Sequence, residues 1–69
     1  MRNHIKERRL AAKLSQQELA DHCQVSRQTI NAIENNKYDP TLQLAFNIAK
    51  VLQIQVDHLF ISGQEERNV

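Results

Sequence analysis

Residues 27–31 place several polar side chains close together that could recognise the edges of DNA bases. Arg27 and Gln28 come first, and Thr29 and Asn31 follow. An arginine can donate two hydrogen bonds to O6 and N7 of guanine, and a glutamine can pair with N6 and N7 of adenine, each contributing about 1–3 kcal/mol of discrimination. The segment therefore favours direct base recognition over the alternative of a polar helix face that meets only water.

The residues around this polar row predict two short helices joined by a tight turn. Ser15 is followed three residues later by Glu18, which is the capping-box order at the start of a helix. Ser26 stands in the same position ahead of the polar row and predicts a second cap. We therefore expect helices over residues 16–23 and 27–35. Two capped helices at this spacing indicate a helix-turn-helix.

Three further helices are expected outside this motif. They cover residues 3–13, 42–52 and 56–60, and the asparagines at 35 and 36 form a stop signal before the fourth helix. The segment 42–52 is apolar on nearly every side, which indicates a helix that is central to a core or divided between core and interface. The predicted fold class is all-α, with five short helices in one domain.

A charged residue on the buried side of the first predicted helix requires a partner. Arg9 lies four residues after Ile5, which places both on one helix face. Glu34 ends the third predicted helix at a point that would face the first. We expect a bidentate Arg9–Glu34 ion pair that joins the two helices, at a desolvation cost that offsets part of its attraction.

The composition indicates a single small domain in a reducing compartment. The chain has 69 residues, a net charge of +1 and one cysteine, Cys23. We expect Cys23 to be a small buried side chain rather than a redox sensor. The charged N-terminus and the lack of a long apolar run predict neither a signal peptide nor a membrane span, so we expect a cytoplasmic, nucleoid-associated protein. Because the net charge is low for a DNA-binding protein, helix N-termini and backbone amides would have to contribute to phosphate binding.

Arrangements typical of an enzyme or a metal site are missing from the sequence. His4, His22 and His58 are far apart, and His22 is adjacent to Cys23, which directs those two side chains to different helix faces. There is neither a Gly-rich phosphate loop nor a nucleophile beside a base. We therefore expect no catalysis, no metal, no cofactor and no small-molecule ligand.

Four segments together resemble the Cro/C1-type helix-turn-helix family of DNA-binding regulators, also called the XRE family. They are LSQQELA at 14–20, VSRQTINAIENNKY at 25–38, PTLQLAFNIAK at 40–50 and VDHLF at 56–60. The resemblance covers about residues 3–60 and is greatest to small stand-alone dimeric repressors of the cytolysin-repressor kind. It implies a DNA-binding domain over residues 1–61, followed by a polar tail over residues 62–69. Many family members have glycine where this chain has Asn36 and Gln53.

The resemblance also implies roles for particular residues of this chain. The family contacts base edges from the third helix, at positions that correspond here to Arg27, Gln28, Thr29, Asn31 and Ala32. Ala32 could contact a thymine methyl group. Phosphates are contacted from the start of the second helix and from the segment after the third, at positions that correspond here to Gln16, Gln17, Asn35, Asn36 and Lys37.

A dimeric repressor is the function that the resemblance favours. Its operator would be double-stranded DNA with two half-sites about 34 Å apart, because two recognition helices must enter successive major grooves on one face of the DNA. The candidate interface residues are Leu44, Val56, Phe60 and Ile61. Membership of the core is the alternative for each, and it applies more to Phe60 than to Ile61.

A protein-interaction module is the second hypothesis. The same fold serves in antitoxins and in adaptors, where the apolar fourth helix and the acidic tail would meet a protein partner. Toxin-neutralising antitoxins usually need a longer disordered segment than the few residues available after the fifth helix. A pull-down that retains no specific DNA would favour this second hypothesis.

Overall fold

The computed structural model describes residues 2–61, with the backbone alone for Ile61. The polar tail expected over residues 62–69 lies outside the described residues. The described chain has the order β1 (Arg2–Asn3), α1 (Ile5–Ala11), α2 (Gln16–Cys23), α3 (Arg27–Glu34), α4 (Leu42–Leu52), α5 (Val56–Leu59) and β2 (Phe60–Ile61). The five-helix fold predicted from the sequence is confirmed, with one small addition.

The addition is an antiparallel ribbon formed by β1 and β2. Arg2 pairs with Ile61, and Asn3 pairs with Phe60. The ribbon shortens two predicted helices, because Asn3 was expected in the first helix and Phe60 in the fifth. Two residues are too few to show the alternation of polar and apolar positions that indicates a strand.

A hydroxyl side chain caps the N-terminus of each of the helices α2, α3 and α4. Ser15 Oγ accepts from the Glu18 N–H at 3.0 Å, and Glu18 Oε1 accepts from the Ser15 N–H at 2.8 Å, which completes the capping box. Ser26 caps α3 and Thr41 caps α4, each through its hydroxyl at 3.2 Å from a backbone N–H three residues later. These caps explain why α2 and α4 begin where the sequence predicts.

Four helices of the described chain end at a residue in the left-handed conformation, and none of the four is glycine. Lys13, Gln24, Asn36 and Gln53 have φ values of 62°, 60°, 62° and 57°. In each case the next N–H donates to a carbonyl five residues earlier at 2.9–3.0 Å, the closure known as a Schellman motif. The left-handed Lys13 ends α1 at Ala11, two residues before the predicted end.

The core lies where α2 packs against both α3 and α4, and α4 packs in turn against α5. The large side chains that are fully buried are Ile5, Leu19, Ile30, Ile33, Ile48 and Leu59. These residues come from all five helices, so each helix contributes to one common core. The burial of one face of α3 determines which of its residues remain at the surface.

Candidate nucleic-acid interface

The outward face of α3 carries the polar row that the sequence suggested. Ile30 and Ile33 point into the core, and Arg27, Gln28 and Asn31 are exposed on the opposite side. Their spacing brings these three side chains onto one face of the helix, because residues three and four apart are neighbours on a helix. The structure therefore presents two of the side chains best suited to base recognition at the start of an exposed helix.

Thr29 and Ala32 are less accessible than the rest of the row. Both side chains are half-buried. The Thr29 hydroxyl lies 3.0 Å from that of Ser26, so it takes part in the cap at the start of α3. Their exposed portions still adjoin the polar face, but neither residue projects as far from the helix as Arg27 does.

A buried ion pair supports α3 from behind. Arg9 Nε donates to Glu34 Oε2 at 2.8 Å, and Arg9 Nη2 donates to Glu34 Oε1 at 3.3 Å. Arg9 Nη1 also donates to the Leu14 carbonyl at 2.9 Å. Arg9 is only 7% exposed. The structure thus contains the bidentate pair expected from the sequence, and the same guanidinium also ties down the segment between α1 and α2.

The two glutamines at the start of α2 are held differently. Gln16 is half-buried, and its Nε2 donates to Glu34 Oε1 at 3.1 Å. Gln17 is exposed, and its Nε2 donates to Asp21 Oδ1 at 2.8 Å on the same helix. Gln16 therefore extends the Arg9–Glu34 pair to α2, a role that its position in the sequence does not predict. The i,i+18 separation gave no helical pattern that could have indicated this contact.

The segment after α3 exposes the other residues proposed to contact phosphate. Asn35, Asn36 and Lys37 are all exposed. Asn35 Nδ2 donates to the Asn31 carbonyl and to Asn31 Oδ1, at 3.0 and 3.2 Å. The Lys37 N–H donates to the Ala32 carbonyl at 2.9 Å, which completes the Schellman closure described above. The three residues thus form an ordered turn beside the polar row of α3.

Two of the interface candidates belong to the core of this chain. Leu44 and Phe60 are each 8% exposed. Val56 is half-buried, and the side chain of Ile61 lies outside the described part of the structure. Leu44 lies on the side of α4 that is buried in the core, a distinction that a helix apolar on nearly every side does not show in its sequence.

The outer side of α4 carries large exposed apolar residues instead. Leu42 is 70% exposed and Phe46 is 53% exposed. They are four residues apart and therefore lie on one face of the helix. Phe46, Ile54 and Val56 line a shallow groove between α4 and α5. We call this surface, formed by Leu42, Phe46, Ile54 and Val56, the apolar α4 face.

The remaining candidates for chemistry are unremarkable in the described chain. Cys23 is buried, and burial raises the pKa of its thiol above the ordinary value. Residues 2–61 contain no group of three or more His, Cys, Asp or Glu side chains placed to bind a metal. No helix among these residues is long and apolar enough to cross a membrane.

Known proteins with similar sequences are helix-turn-helix regulators. Residues 5–59 match the family profile described as helix-turn-helix. The chain is 47% identical over 66 residues to an uncharacterized HTH-type transcriptional regulator of Methanocaldococcus jannaschii, covering 96% of this chain and 100% of the relative. It is 38% identical over 65 residues to the uncharacterized HTH-type transcriptional regulator YgzD of Bacillus subtilis, covering 94% of this chain and 98% of the relative.

A solved structure has the same arrangement of elements. The crystal structure of the hypothetical transcription factor NHTF from Neisseria superposes with a TM-score of 0.77 and 26% sequence identity. The superposition covers 90% of this chain and 70% of that one. The similarity therefore extends over most of the chain, and α3 lies within the residues that match the family profile.

Proposed function

Because the chain belongs to the helix-turn-helix family of DNA-binding transcriptional regulators, we propose that it represses transcription as a homodimer bound to a two-fold-related operator. One observation carries this proposal. The exposed Arg27, Gln28 and Asn31 lie on an eight-residue helix that is held from behind by the buried Arg9–Glu34 pair. Rigid support of this kind lets side chains reach base edges with little loss of entropy on binding.

Base recognition is assigned to the outward residues of α3. Arg27 would pair with a guanine and Gln28 with an adenine, since these side chains match the paired acceptor and donor groups of those bases. Asn31 lies one turn further along the helix and would extend the contact, with Ala32 against a thymine methyl group. Thr29 would contribute least, because its hydroxyl takes part in the Ser26 cap.

Phosphate contacts would flank the groove on both sides of α3. Each carboxamide has two N–H donors, so Gln16 and Gln17 can bind a phosphate while keeping the hydrogen bonds seen in the structure. Asn35, Asn36 and Lys37 would bind the backbone at the other end of the helix. Such contacts position the protein without reading sequence, and they compensate for the net charge of only +1.

Dimerisation would place two copies of α3 about 34 Å apart on one face of the DNA. The described chain exposes the apolar α4 face, and a domain this small gains stability by burying such a surface against a second copy. Lys50 and Asp57 also line the groove beside Phe46. In a two-fold interface Lys50 of one copy could pair with Asp57 of the other, and the reverse pair could form as well. The reason is that such an interface brings residue i to j and j to i. Among the sequence candidates, Val56 fits this interface better than the buried Leu44 and Phe60, and Ile61 stays a candidate from the sequence.

Repression would follow from occlusion of a promoter by the bound dimer. This mechanism requires neither catalysis nor a cofactor or small-molecule ligand, and control would come from the protein's concentration or from a partner protein. Binding to chromosomal DNA would place the protein with the nucleoid in the cytoplasm. Small regulators of this kind often bind their own promoter, which makes that promoter the first candidate operator.

A gel-shift titration on the promoter of the protein's own gene, at two salt concentrations and with random-sequence competitor, tests the proposal. The expected result is a discrete complex that survives competition, with two protected half-sites about one helical turn apart in a footprint. The sequence-specific assignment would be overturned if random competitor removed the complex completely on this promoter and also on a library of genomic fragments.

The apolar α4 face also favours one other function, an interaction module for a different protein. In that case the chain alone would be monomeric, and an unrelated protein would bind at Phe46. Sedimentation analysis of the purified chain distinguishes the two functions, since a homodimer forms without any added partner.

A further inference from the structure

Asn3 joins the N-terminal ribbon to the end of the recognition helix. Its Nδ2 donates to the Ile33 carbonyl at 2.8 Å, across 30 residues of sequence. The same Nδ2 lies 3.5 Å from Asn36 Oδ1, and Asn3 Oδ1 accepts from the Ile5 N–H at 3.0 Å. One side chain thus contacts the start of α1, the last turn of α3 and the turn that follows α3.

The orientation of the Asn3 amide is determined by these partners. Ile33 and Asn36 present oxygens, and Ile5 presents an N–H. If the amide were reversed, its oxygen would face two oxygens and its NH₂ group would face a donor. The Asn3 side chain therefore acts as a donor towards α3 and as an acceptor towards α1.

The Asn3 amide donates to the Ile33 carbonyl in the last turn of α3. Because the helix ends at Glu34, this carbonyl accepts no N–H from a following helical turn. The last carbonyls of a helix need hydrogen-bond donors from outside the regular ladder. Here the Asn36 N–H reaches the Ile33 carbonyl at 3.1 Å, and the Asn3 amide adds a second donor to the same oxygen. Asn3 thus reinforces the turn over residues 35–37 through its contacts with Ile33 and Asn36.

The Asn3 backbone is itself held in place. It pairs with Phe60 in the ribbon, and Phe60 is buried in the core. The adjacent His4 N–H donates to the Leu59 carbonyl at 2.8 Å. The core and α5 therefore fix the position of Asn3. Through its bond to the Ile33 carbonyl, Asn3 in turn holds the end of α3.

We propose that Asn3 is a positioning residue for DNA binding. It holds the 35–37 turn in the position from which the turn contacts the phosphate backbone. The inference rests on the proposed phosphate contacts of Asn35, Asn36 and Lys37. Asn3 itself touches no DNA in this arrangement and acts through its bond to Ile33. Comparisons of sequence alone do not reveal the role, because it depends on the ribbon that brings residue 3 to residue 33.

The test compares Asn3→Ser with a control that loses a cap elsewhere. Serine keeps an acceptor for the Ile5 N–H but is too short to reach the Ile33 carbonyl, and it changes no charge. Thr41→Ala removes the hydroxyl that caps α4 and does not touch α3. Both variants are assayed under conditions in which equilibrium unfolding shows that they are fully folded.

Two measurements separate positioning from general destabilisation. The first is affinity for duplex DNA as a function of salt. Asn3→Ser should weaken binding about 3- to 10-fold, and it should reduce the slope of log affinity against log salt concentration by about the contribution of one phosphate contact. The second is amide hydrogen exchange of Asn36 and Lys37 in the free protein, which Asn3→Ser should accelerate. Thr41→Ala should change neither quantity.

Equal affinity, slope and exchange in Asn3→Ser and Thr41→Ala would overturn the inference. Failure of the proposed function has a different signature, because then the wild-type protein would form no specific complex on any fragment. The exchange rates of Asn36 and Lys37 would still decide in that case whether Asn3 holds the turn, since they are measured without DNA.

Discussion

The outward faces of α3 and α4 differ in the kind of side chain that they expose. The α3 face exposes Arg27, Gln28 and Asn31, whose hydrogen-bonding groups are well solvated in the free protein. The α4 face exposes Leu42 and Phe46, whose apolar surface is unfavourable in water. Exposure of the α3 face to water therefore costs little free energy, whereas the α4 face is stabilised when another apolar surface covers it. The difference supports the proposal that DNA is the partner of α3 and protein is the partner of α4.

The two helices also differ in how the core holds them. α3 packs into the core through Ile30 and Ile33 and is held in addition by directional contacts, namely the Arg9–Glu34 pair, the Gln16 amide and the Asn3 amide. α4 is held mainly by packing of Ala45 and Ile48 and their apolar neighbours. These directional bonds add to the packing of α3, which suits a helix whose side chains are proposed to match base positions.

The largest effect is expected from removing the support behind α3. Glu34→Ala leaves the Arg9 guanidinium buried without its carboxylate, which should lower the free energy of unfolding by about 3–5 kcal/mol. Urea denaturation monitored by circular dichroism measures the change. Glu7→Ala removes an exposed carboxylate from α1 and should change stability by less than about 0.5 kcal/mol. Similar losses for the two variants would contradict the supporting role of the pair.

Base recognition by α3 should show as a loss of specific affinity with no loss of stability. Arg27→Ala and Gln28→Ala should each weaken operator binding by about 1–3 kcal/mol, while their unfolding curves remain those of the wild type. Lys6→Ala removes an exposed cation from α1 and serves as the control for net charge. Fluorescence anisotropy with the operator and with a scrambled duplex gives both affinities. An equal loss on the two duplexes would exclude a base contact for the residue concerned.

The α4 face is tested by its effect on self-association. Phe46→Ser should weaken dimerisation by about 1–2 kcal/mol per protomer, because the exposed part of the phenylalanine would no longer be buried against the partner. Leu10→Ser is the matched control, since Leu10 is a similarly exposed apolar residue on α1, at 56%. Analytical ultracentrifugation over a concentration series measures both. If Leu10→Ser dissociated the dimer and Phe46→Ser did not, the interface would include Leu10 on α1 and not the apolar α4 face.

The ends of α3 and α4 give the smallest expected effect. Gln53 adopts a left-handed conformation that glycine tolerates better, so Gln53→Gly should stabilise the fold by about 0.5–1 kcal/mol. Asn36→Gly should gain less, because asparagine already tolerates this conformation. Gln43→Gly, inside α4, should instead destabilise by about 1 kcal/mol. Thermal unfolding ranks the three variants, and a loss of stability in Gln53→Gly would contradict the strain assigned to that position.

Local signals in the sequence were sufficient for the motif itself. Ser15, Glu18 and Ser26 lie at the start of their helices because a hydroxyl or carboxylate satisfies backbone N–H groups only a few residues away. The orientation of α3 follows from Ile30 and Ile33, whose spacing defines a buried side. Even Arg9 and Glu34 could be paired in advance, because a charge on a buried helix face requires an opposite charge.

Sequence patterns were insufficient where a role depends on which surface a neighbouring element covers. α4 is apolar on nearly every side, so only its packing against α2 and α5 separates the buried Leu44 from the exposed Phe46. Gln16 and Asn3 look like ordinary surface residues in the sequence. Their partners, Glu34 and Ile33, are distant along the chain, and helical periodicity carries no information about such contacts.

The sequence by itself determined that the chain forms five helices with a capped helix-turn-helix and a polar recognition face, because caps and helical periodicity act over a few residues. Only the tertiary structure decided that Asn3 and Gln16 support α3, that residues 2–3 and 60–61 pair in a ribbon, and that α4 leaves Leu42 and Phe46 uncovered. The physical reason is that hydrogen bonds and burial between distant segments depend on the relative placement of the helices, which the whole core determines.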